Sequence, residues 1–152
     1  MPKIDIAAIA PRTSSIYPAA FADRMRGRSK QALGNAAGLT QFGVNLTRLA
    51  PGAISALKHW HENEDEFVFI LEGEATLVED DTETLLVAGE AAGFKAGERV
   101  AHQLANRTER DVVYLEVGTR APREQAHYPD DDLSYRRDET GNHLHRKDGT
   151  PY

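Results

Sequence analysis

The sequence predicts an all-β protein of jelly-roll type, because it shows short strand-like segments, regular turn signals and no long amphipathic helix pattern. Between residues 42 and 118, runs of five to seven residues with apolar or alternating character are separated by turn residues every eight to twelve positions. Spacing of this kind is typical of antiparallel sandwiches and barrels. We therefore predict a β-sandwich core from Phe42 to Gly118.

The strand candidates follow one another in a simple order. FGVNLTRL alternates, and a Pro-Gly break at 51–52 separates it from ISALKHWH. The acidic turn ENED leads to EFVFIL, and EATLVE, TETLLVA, VAHQLAN and DVVYLEVG follow. Residues 20–33 are the candidate for one short helix, although Gly27 weakens that assignment.

The two flanks differ from the core in composition. We expect one domain with an N-terminal arm at 1–40, a barrel at 41–120 and a C-terminal tail at 121–152 that packs on the barrel. The tail is polar, and we expect it to have little regular structure. One locally basic patch lies in the arm, and we expect it to be solvated rather than to bind phosphate; it consists of Arg24, Arg26, Arg28 and Lys30.

Composition excludes several classes of function. The formal net charge of -6 argues against a general nucleic-acid binder, because phosphate binding needs a basic surface. No apolar run approaches the ~18 residues of a membrane helix, and the N-terminus does not resemble a signal peptide. The lack of cysteine excludes disulfides and thiolate ligands. These features fit a cytoplasmic protein that binds neither nucleic acid nor membranes.

Three histidines and one glutamate form a candidate metal site. His59 and His61 are two apart in a strand candidate, so they point to the same face. Glu66 lies across the ENED turn, and His102 lies in the later segment VAHQLAN. Three imidazoles and a carboxylate suit Fe(II), Mn(II), Ni(II), Zn(II) or Cu(II). A divalent cation would also offset the cost of burying the Glu66 charge.

A second His-x-His pair is expected not to bind metal. His143 and His145 have no nearby glutamate and no evident strand context, and they lie near the end of the chain.

The segment GAISALKHWHENEDEFVFILEG, residues 52–73, resembles the first conserved motif of the cupin superfamily. Residues 89–106 resemble the second motif, with Gly89, Gly97, His102 and Asn106 in the expected order. The resemblance implies a double-stranded β-helix barrel. It also implies that one divalent transition metal binds to the first-motif histidines and glutamate and to the second-motif histidine, which are His59, His61, Glu66 and His102.

Two departures from the second motif affect the shape of the pocket. Lys95 stands where the family usually has proline, and four residues rather than two separate Gly97 from His102. We predict that Asn106 shapes a turn by adopting a positive φ.

Three functions remain open at this point. The first is a metal-dependent enzyme on a small polar substrate, with an isomerase or epimerase of a sugar or sugar phosphate slightly favoured over a dioxygenase. The tail ending HRKDGTPY favours the isomerase, since it resembles small bacterial cupins called sugar-phosphate-isomerase-like. The second is a non-catalytic sensor barrel. The third, a transcription-factor effector domain, is weakest because the arm lacks a helix-turn-helix pattern. Lys95, Tyr114 and Glu116 are candidates for the general base.

The EFVFIL segment predicts a homodimer. If Val68 and Ile70 face the interior, then Phe67, Phe69 and Leu71 face outward. A second sheet, the arm or a twin subunit must cover such an apolar patch, and the C2 dimer is the commonest closed assembly.

Overall fold

Short antiparallel strands account for most of the architecture. The computed structural model describes residues 3–152, which contain twelve strands, two short 3₁₀ helices (Ile6–Ala8 and Ala19–Met25) and one α-helical turn, α1 (Leu33–Ala36). The all-β prediction is confirmed. The strands are β1 Arg28–Ala32, β2 Phe42–Leu49, β3 Trp60–His61, β4 Glu66–Glu72, β5 Glu74–Glu79, β6 Thr82–Val87, β7 Ala91–Phe94, β8 His102–Ala105, β9 Val112–Thr119, β10 Glu124–Tyr128, β11 Leu133–Asp138 and β12 Gly141–His145.

The strands of residues 3–152 form three antiparallel sheets. The largest has the order β1-β2-β9-β4-β7, a second has the order β12-β11-β10-β3, and a third has the order β6-β5-β8. The order β2-β9-β4 places the last barrel strand between two early ones. Non-local pairing of this kind is characteristic of jelly rolls and matches the cupin barrel that the motifs predicted.

Strand β4 has the alternation that the sequence predicted. Val68 and Ile70 are buried in the main core, whereas Phe67 is 45% exposed and Leu71 is 41% exposed. Side chains two apart in a strand share a face, so the register that buries Val68 and Ile70 also turns Phe67 and Leu71 outward. The apolar core of the barrel packs around these two residues and consists of Leu49, Ala53, Val68, Ile70, Ala75, Leu77, Leu86, Leu104, Val112 and Tyr114.

The N-terminal arm differs from the expected short helix at 20–33. A 3₁₀ helix ends at Met25, and Gly27 then adopts a φ of +82°. Its Cβ would lie only 3.0 Å from that of Ala53, so the chain passes close to the barrel here. β1 follows and pairs with β2 along its whole length. The arm therefore adds an edge strand to the largest sheet.

The expectation of little regular structure after residue 121 is wrong. β10, β11 and β12 form a meander, and β10 also pairs with β3. The signal was a weak two-residue alternation: Ala126 and Tyr128 are buried on β10, as are Leu133 and Tyr135 on β11. These residues pack with Met25 and Leu57 into a second core. Because the segment has few apolar residues, its polar composition suggested irregular structure and this alternation was overlooked.

Two further details correct the sequence reading. Of ISALKHWH only Trp60–His61 forms a strand, while Ile54 and His59 make single bridges to β8. Asn106 does not adopt a positive φ; among the described non-glycine residues only Asp80 does. The Asn106 side chain is instead buried, and its Nδ2 donates to the carbonyl oxygens of Leu49 and Arg110. It satisfies acceptors that strand pairing leaves free.

Candidate metal centre

The four predicted ligand residues come from three strands and one bridge. His61 is on β3, Glu66 is the first residue of β4, and His102 is the first residue of β8. His59 lies just before β3 and forms a bridge with His102, in which their backbones exchange hydrogen bonds of 3.2 and 2.9 Å. The structure therefore brings all four residues together.

Three imidazole nitrogens converge on a single carboxylate oxygen. Oε2 of Glu66 lies 2.9 Å from Nε2 of His102, 3.5 Å from Nε2 of His61 and 3.6 Å from Nε2 of His59. Neighbouring ligands that are each 2.0–2.2 Å from a six-coordinate metal lie about 3 Å from one another. The observed separations are close to that value, so this His/Glu cluster could hold one divalent metal.

The far side of each imidazole faces an acceptor. Nδ1 of His59 lies 2.7 Å from the carbonyl oxygen of Leu57, so it donates there and leaves the Nε2 lone pair facing the cluster. Nδ1 of His102 is 3.5 Å from the Val100 carbonyl oxygen. Nδ1 of His61 faces Oε1 of Glu124 at 3.7 Å, beyond hydrogen-bond distance, and has no hydrogen-bond partner in residues 3–152. Such outer partners orient metal-binding histidines in many proteins.

Aromatic stacking further restricts the rings. Phe94 lies parallel to His102, with ring centroids 3.6 Å apart, and Tyr128 stacks on His59 at 5.6 Å. The imidazoles thus have little rotational freedom before any ligand binds, which lowers the ordering cost of binding.

Protonation is already close to what a metal needs. Burial lowers the pKa of His59, which favours the neutral imidazole. Burial opposes the charged form of Glu66, but the hydrogen bond with His102 and the neighbouring imidazoles of His59 and His61 outweigh it and hold the pKa of that carboxyl well below its usual range. Burial also opposes the charged form of His61, yet Glu124 and Glu66 outweigh it and raise the pKa of His61. A metal would therefore compete with a proton chiefly at His61.

The cluster forms part of the wall of a cavity of about 510 Å³ inside the barrel. That volume lies in the range typical of small-molecule sites. Two of the three candidate bases, Tyr114 and Glu116, line it. Lys95 does not: it is exposed beside a separate recess of about 70 Å³ that also contacts His61, Glu66 and His102.

The loop between Gly97 and His102, which is longer than in the family motif, is hydrogen-bonded to the backbone of His61. Gly97 adopts a φ of +80°, and its backbone N–H donates to the carbonyl oxygen of His61 at 2.8 Å. The extra residues therefore extend the loop outward and leave the ligand strand in place.

The second histidine pair lies elsewhere. His143 and His145 are on β12, which is the strand context that the sequence did not reveal. Nε2 of His143 lies 3.2 Å from Oδ1 of Asp138 and 2.8 Å from the Thr140 hydroxyl. Within residues 3–152 neither belongs to a cluster of three or more potential metal ligands.

Sequence reasoning missed Glu124, which is 2% exposed and faces His61. Its carboxylate accepts from the backbone N–H groups of Glu62, Asn63 and Gln125. It also forms a second cluster of potential ligands with His61 and Glu64, although Glu64 is paired with Arg137. The sequence signal that could have revealed Glu124 is its position in EQAHY, a segment in which alternate residues are buried.

The expectation that the basic patch is solvated is wrong for two of its members. Arg28 is buried, at 7% exposure, and both Arg28 and Lys30 line the cavity. Arg24 pairs with Asp131 and Arg26 with Asp23, so these two are engaged outside the cavity. Arg28 and Lys30 are two apart on β1 and therefore share a face, whereas Arg24 and Arg26 precede the strand.

Comparisons with known proteins agree with this geometry. The family model described as "Cupin domain" matches residues 45–118. A crystal structure described as a sugar phosphate isomerase of the cupin superfamily, from Silicibacter pomeroyi, is 47% identical, with a TM-score of 0.95 over 99% of this chain and 96% of that chain.

The chain belongs to the cupin superfamily.

More distant cupin-like structures show how far the likeness extends. A sugar phosphate isomerase candidate from Acidithiobacillus ferrooxidans is 26% identical, with a TM-score of 0.75 over 90% of this cupin and 95% of that chain. A predicted oxalate decarboxylase from Thermotoga maritima is 22% identical, with a TM-score of 0.63 over 79% of this cupin and 100% of that chain, and shares the fold. Among curated protein sequences no match is significant. In residues 3–152 of this cupin, no helix has the length and apolar character needed to cross a bilayer.

Proposed function

We propose that this cupin is a metal-dependent isomerase or epimerase of a sugar or sugar phosphate. The observation that carries the proposal is the convergence of three imidazole Nε2 atoms on Oε2 of Glu66 in the wall of the 510 Å³ cavity. A site that only packed or bound apolar molecules would have no use for four converging donors. The names of the two isomerase-like relatives support the same reaction class.

The metal ligands in this proposal are His59, His61, Glu66 and His102. The three imidazole Nε2 atoms lie within 3.6 Å of Oε2 of Glu66. His59, His61 and Glu66 form the tight group of potential ligands, and His102 joins it through its contact with Glu66. Nδ1 of His59 is already fixed as a donor to the Leu57 carbonyl oxygen. A divalent metal held by these residues would supply Lewis-acid polarisation of a substrate carbonyl.

Proton transfer in the cavity falls to two further carboxylates, Glu64 and Glu116. Oε1 of Glu116 accepts from Lys30 and Asn45 at 2.6 and 2.8 Å, and Oε1 of Glu64 accepts from Arg137 and the Ala121 N–H. Oε2 of each carboxylate has no hydrogen bond among the described residues. A fixed carboxylate with one unengaged oxygen is suited to remove a proton from carbon beside a carbonyl and return it.

Metal analysis together with an exchange assay tests this function. Wild-type protein purified without chelators or a metal-affinity column should contain about one divalent metal per chain, and His61→Ala should contain much less. In D₂O, an aldose phosphate should acquire deuterium at C2 in a metal-dependent reaction followed by NMR. His143→Ala is the matched control, because His143 lies outside the cluster.

Each result has a clear meaning. Wild-type metal no higher than in His61→Ala would overturn both the site and the enzyme proposal. Metal without exchange or turnover would favour the sensor, and substrate-dependent O₂ consumption would favour the dioxygenase.

A further inference from the structure

The cavity has a positive character that the metal cluster does not explain. Five of its lining residues are Arg or Lys and three are Glu, although the whole chain carries a formal charge of -6. The cations are Arg12, Arg28, Lys30, Arg120 and Arg137, and the carboxylates are Glu64, Glu66 and Glu116.

Ion pairs neutralise only part of this charge. Lys30 pairs with Glu116, and Arg137 pairs with Glu64. Glu66 is surrounded by the histidines. Arg12, Arg28 and Arg120 have no carboxylate within 4.0 Å in residues 3–152. Arg12 and Arg120 are exposed at the rim, where Arg120 donates to the Leu39 carbonyl oxygen and to Oδ1 of Asn35.

Arg28 is different because it is buried. It is 7% exposed and is the one buried lysine or arginine among the described residues. Its Nη1 donates to the Ser55 carbonyl oxygen at 2.8 Å and its Nη2 approaches the Ser14 carbonyl oxygen at 3.5 Å. These contacts attach the arm to the barrel, but they use two of five N–H donors and leave the charge unpaired. A buried unpaired charge is costly unless an anion joins it.

A second observation points into the same cavity. Tyr114 lines the cavity and is fully buried, and its hydroxyl has no hydrogen-bond partner in residues 3–152. The hydroxyl of its cross-strand neighbour Thr47 also lacks one. Burial and Glu116 raise the pKa of Tyr114 well above its usual value, while the Arg28 charge and the neighbouring Thr47 hydroxyl act in the opposite sense. The Tyr114 hydroxyl is thus a neutral donor within the electrostatic reach of Arg28.

We propose that Arg28 and the Tyr114 hydroxyl bind a phosphate group of the substrate, at a subsite in the same cavity as the His/Glu cluster. A phosphate monoester carries close to two negative charges at neutral pH and several acceptor oxygens, which suits a guanidinium, a hydroxyl donor and the two rim arginines together. A carboxylate would bring one charge and two oxygens. This inference rests on the proposed function only in taking the cavity as the substrate site.

Phosphate titration tests the subsite. The full chain, as purified and again after dialysis against EDTA, is titrated with inorganic phosphate and with sodium acetate at equal ionic strength, followed by calorimetry and melting temperature. Phosphate should bind saturably in both preparations and acetate should not. Arg28→Gln should weaken phosphate binding about tenfold or more, and Tyr114→Phe should weaken it less, in keeping with the greater strength of hydrogen bonds from charged donors.

Controls separate binding from folding and from the metal. Arg48→Gln is the matched control, because Arg48 is an exposed arginine that pairs with Asp111 outside the cavity. If Arg28→Gln does not fold by circular dichroism, Arg28→Lys replaces it and should still weaken phosphate binding, since lysine lacks the planar fork. Wild-type affinity in the folded Arg28 variant, equal binding of acetate, or no saturable phosphate binding by wild type would overturn the subsite. Metal content is measured in parallel: phosphate binding through Arg28 without metal would remove the proposed function and leave this inference standing.

Discussion

Nε2 of His102 lies 2.9 Å from Oε2 of Glu66, although 36 positions separate the two residues in the sequence. Glu66 belongs to the five-stranded sheet and His102 to the three-stranded sheet, so this contact joins the two faces of the barrel. A ligand held between them would bind the folded chain and not the unfolded one, and would stabilise it by mass action.

Glu66→Gln should abolish that stabilisation. Free metal at 100 times its dissociation constant stabilises a folded protein by about 2.7 kcal/mol, and the variant should show no rise in melting temperature when Zn(II) or Mn(II) is added. Glu72→Gln, which replaces an exposed carboxylate on the same strand, should respond like wild type. Equal metal responses in Glu66→Gln and wild type would contradict the ligand assignment.

Glu124→Gln should weaken metal binding without removing a ligand. The carboxylate faces Nδ1 of His61 and raises the pKa of that imidazole, so its loss frees the ring and lowers its basicity. Loss of an outer partner typically reduces metal affinity 10–100-fold. Competition with a chromogenic chelator measures the change. Affinity within a factor of two of wild type would show that the His61–Glu124 contact has no bearing on the metal.

Asn106→Ala should destabilise the fold while sparing the cluster. Asn106 is 1% exposed, and its amide bonds two carbonyl oxygens and accepts from the N–H and hydroxyl of Thr108. Leaving buried groups unsatisfied costs about 1–3 kcal/mol each, so we expect a loss of roughly 2–4 kcal/mol in urea denaturation. Asn63→Ala, at an exposed asparagine, should stay within about 0.5 kcal/mol of wild type.

We expect a homodimer in solution. On the outer face of β4, Phe67 is 45% exposed and Leu71 is 41% exposed, while Phe69 between them is half-buried. A twin subunit is the covering that we expect for the two exposed side chains. Light scattering should give about twice the chain mass of 16.8 kDa, and Leu71→Glu should shift the protein toward monomer. A wild-type monomer at micromolar concentration would remove this prediction.

The strands of the barrel and the convergence of the four candidate ligands could be predicted because they depend on local patterns. The alternation in EFVFIL determines which side chains of β4 point inward, and the spacing of His59 and His61 determines their shared direction. Both signals lie within a few residues of sequence, where side-chain periodicity is informative.

The remainder of the site depends on contacts between distant segments. Glu124 reaches His61 only because β10 pairs with β3, and Arg28 enters the cavity only because β1 pairs with β2. Neither β1 nor β10 shows a clear alternation of apolar and polar residues in its sequence. The basic patch was expected to be solvated because the sequence shows how many charges it has but not which way each side chain points. Arg28 and Lys30 turn inward because they share one face of β1, while Arg24 and Arg26 precede that strand. Composition contains neither the start of the strand nor its register.

The pairing of β3 with β10 also determines the smallest fragment that can keep the candidate metal site intact. Strand β3 carries His61 but has only two residues, and its partner lies beyond residue 118, where the match to the family ends. A fragment cut at that boundary would lose the neighbour that holds His61 in line, together with the carboxylate behind it. A transplant of this site into another scaffold must therefore include the C-terminal meander, because β10 fixes the position of His61.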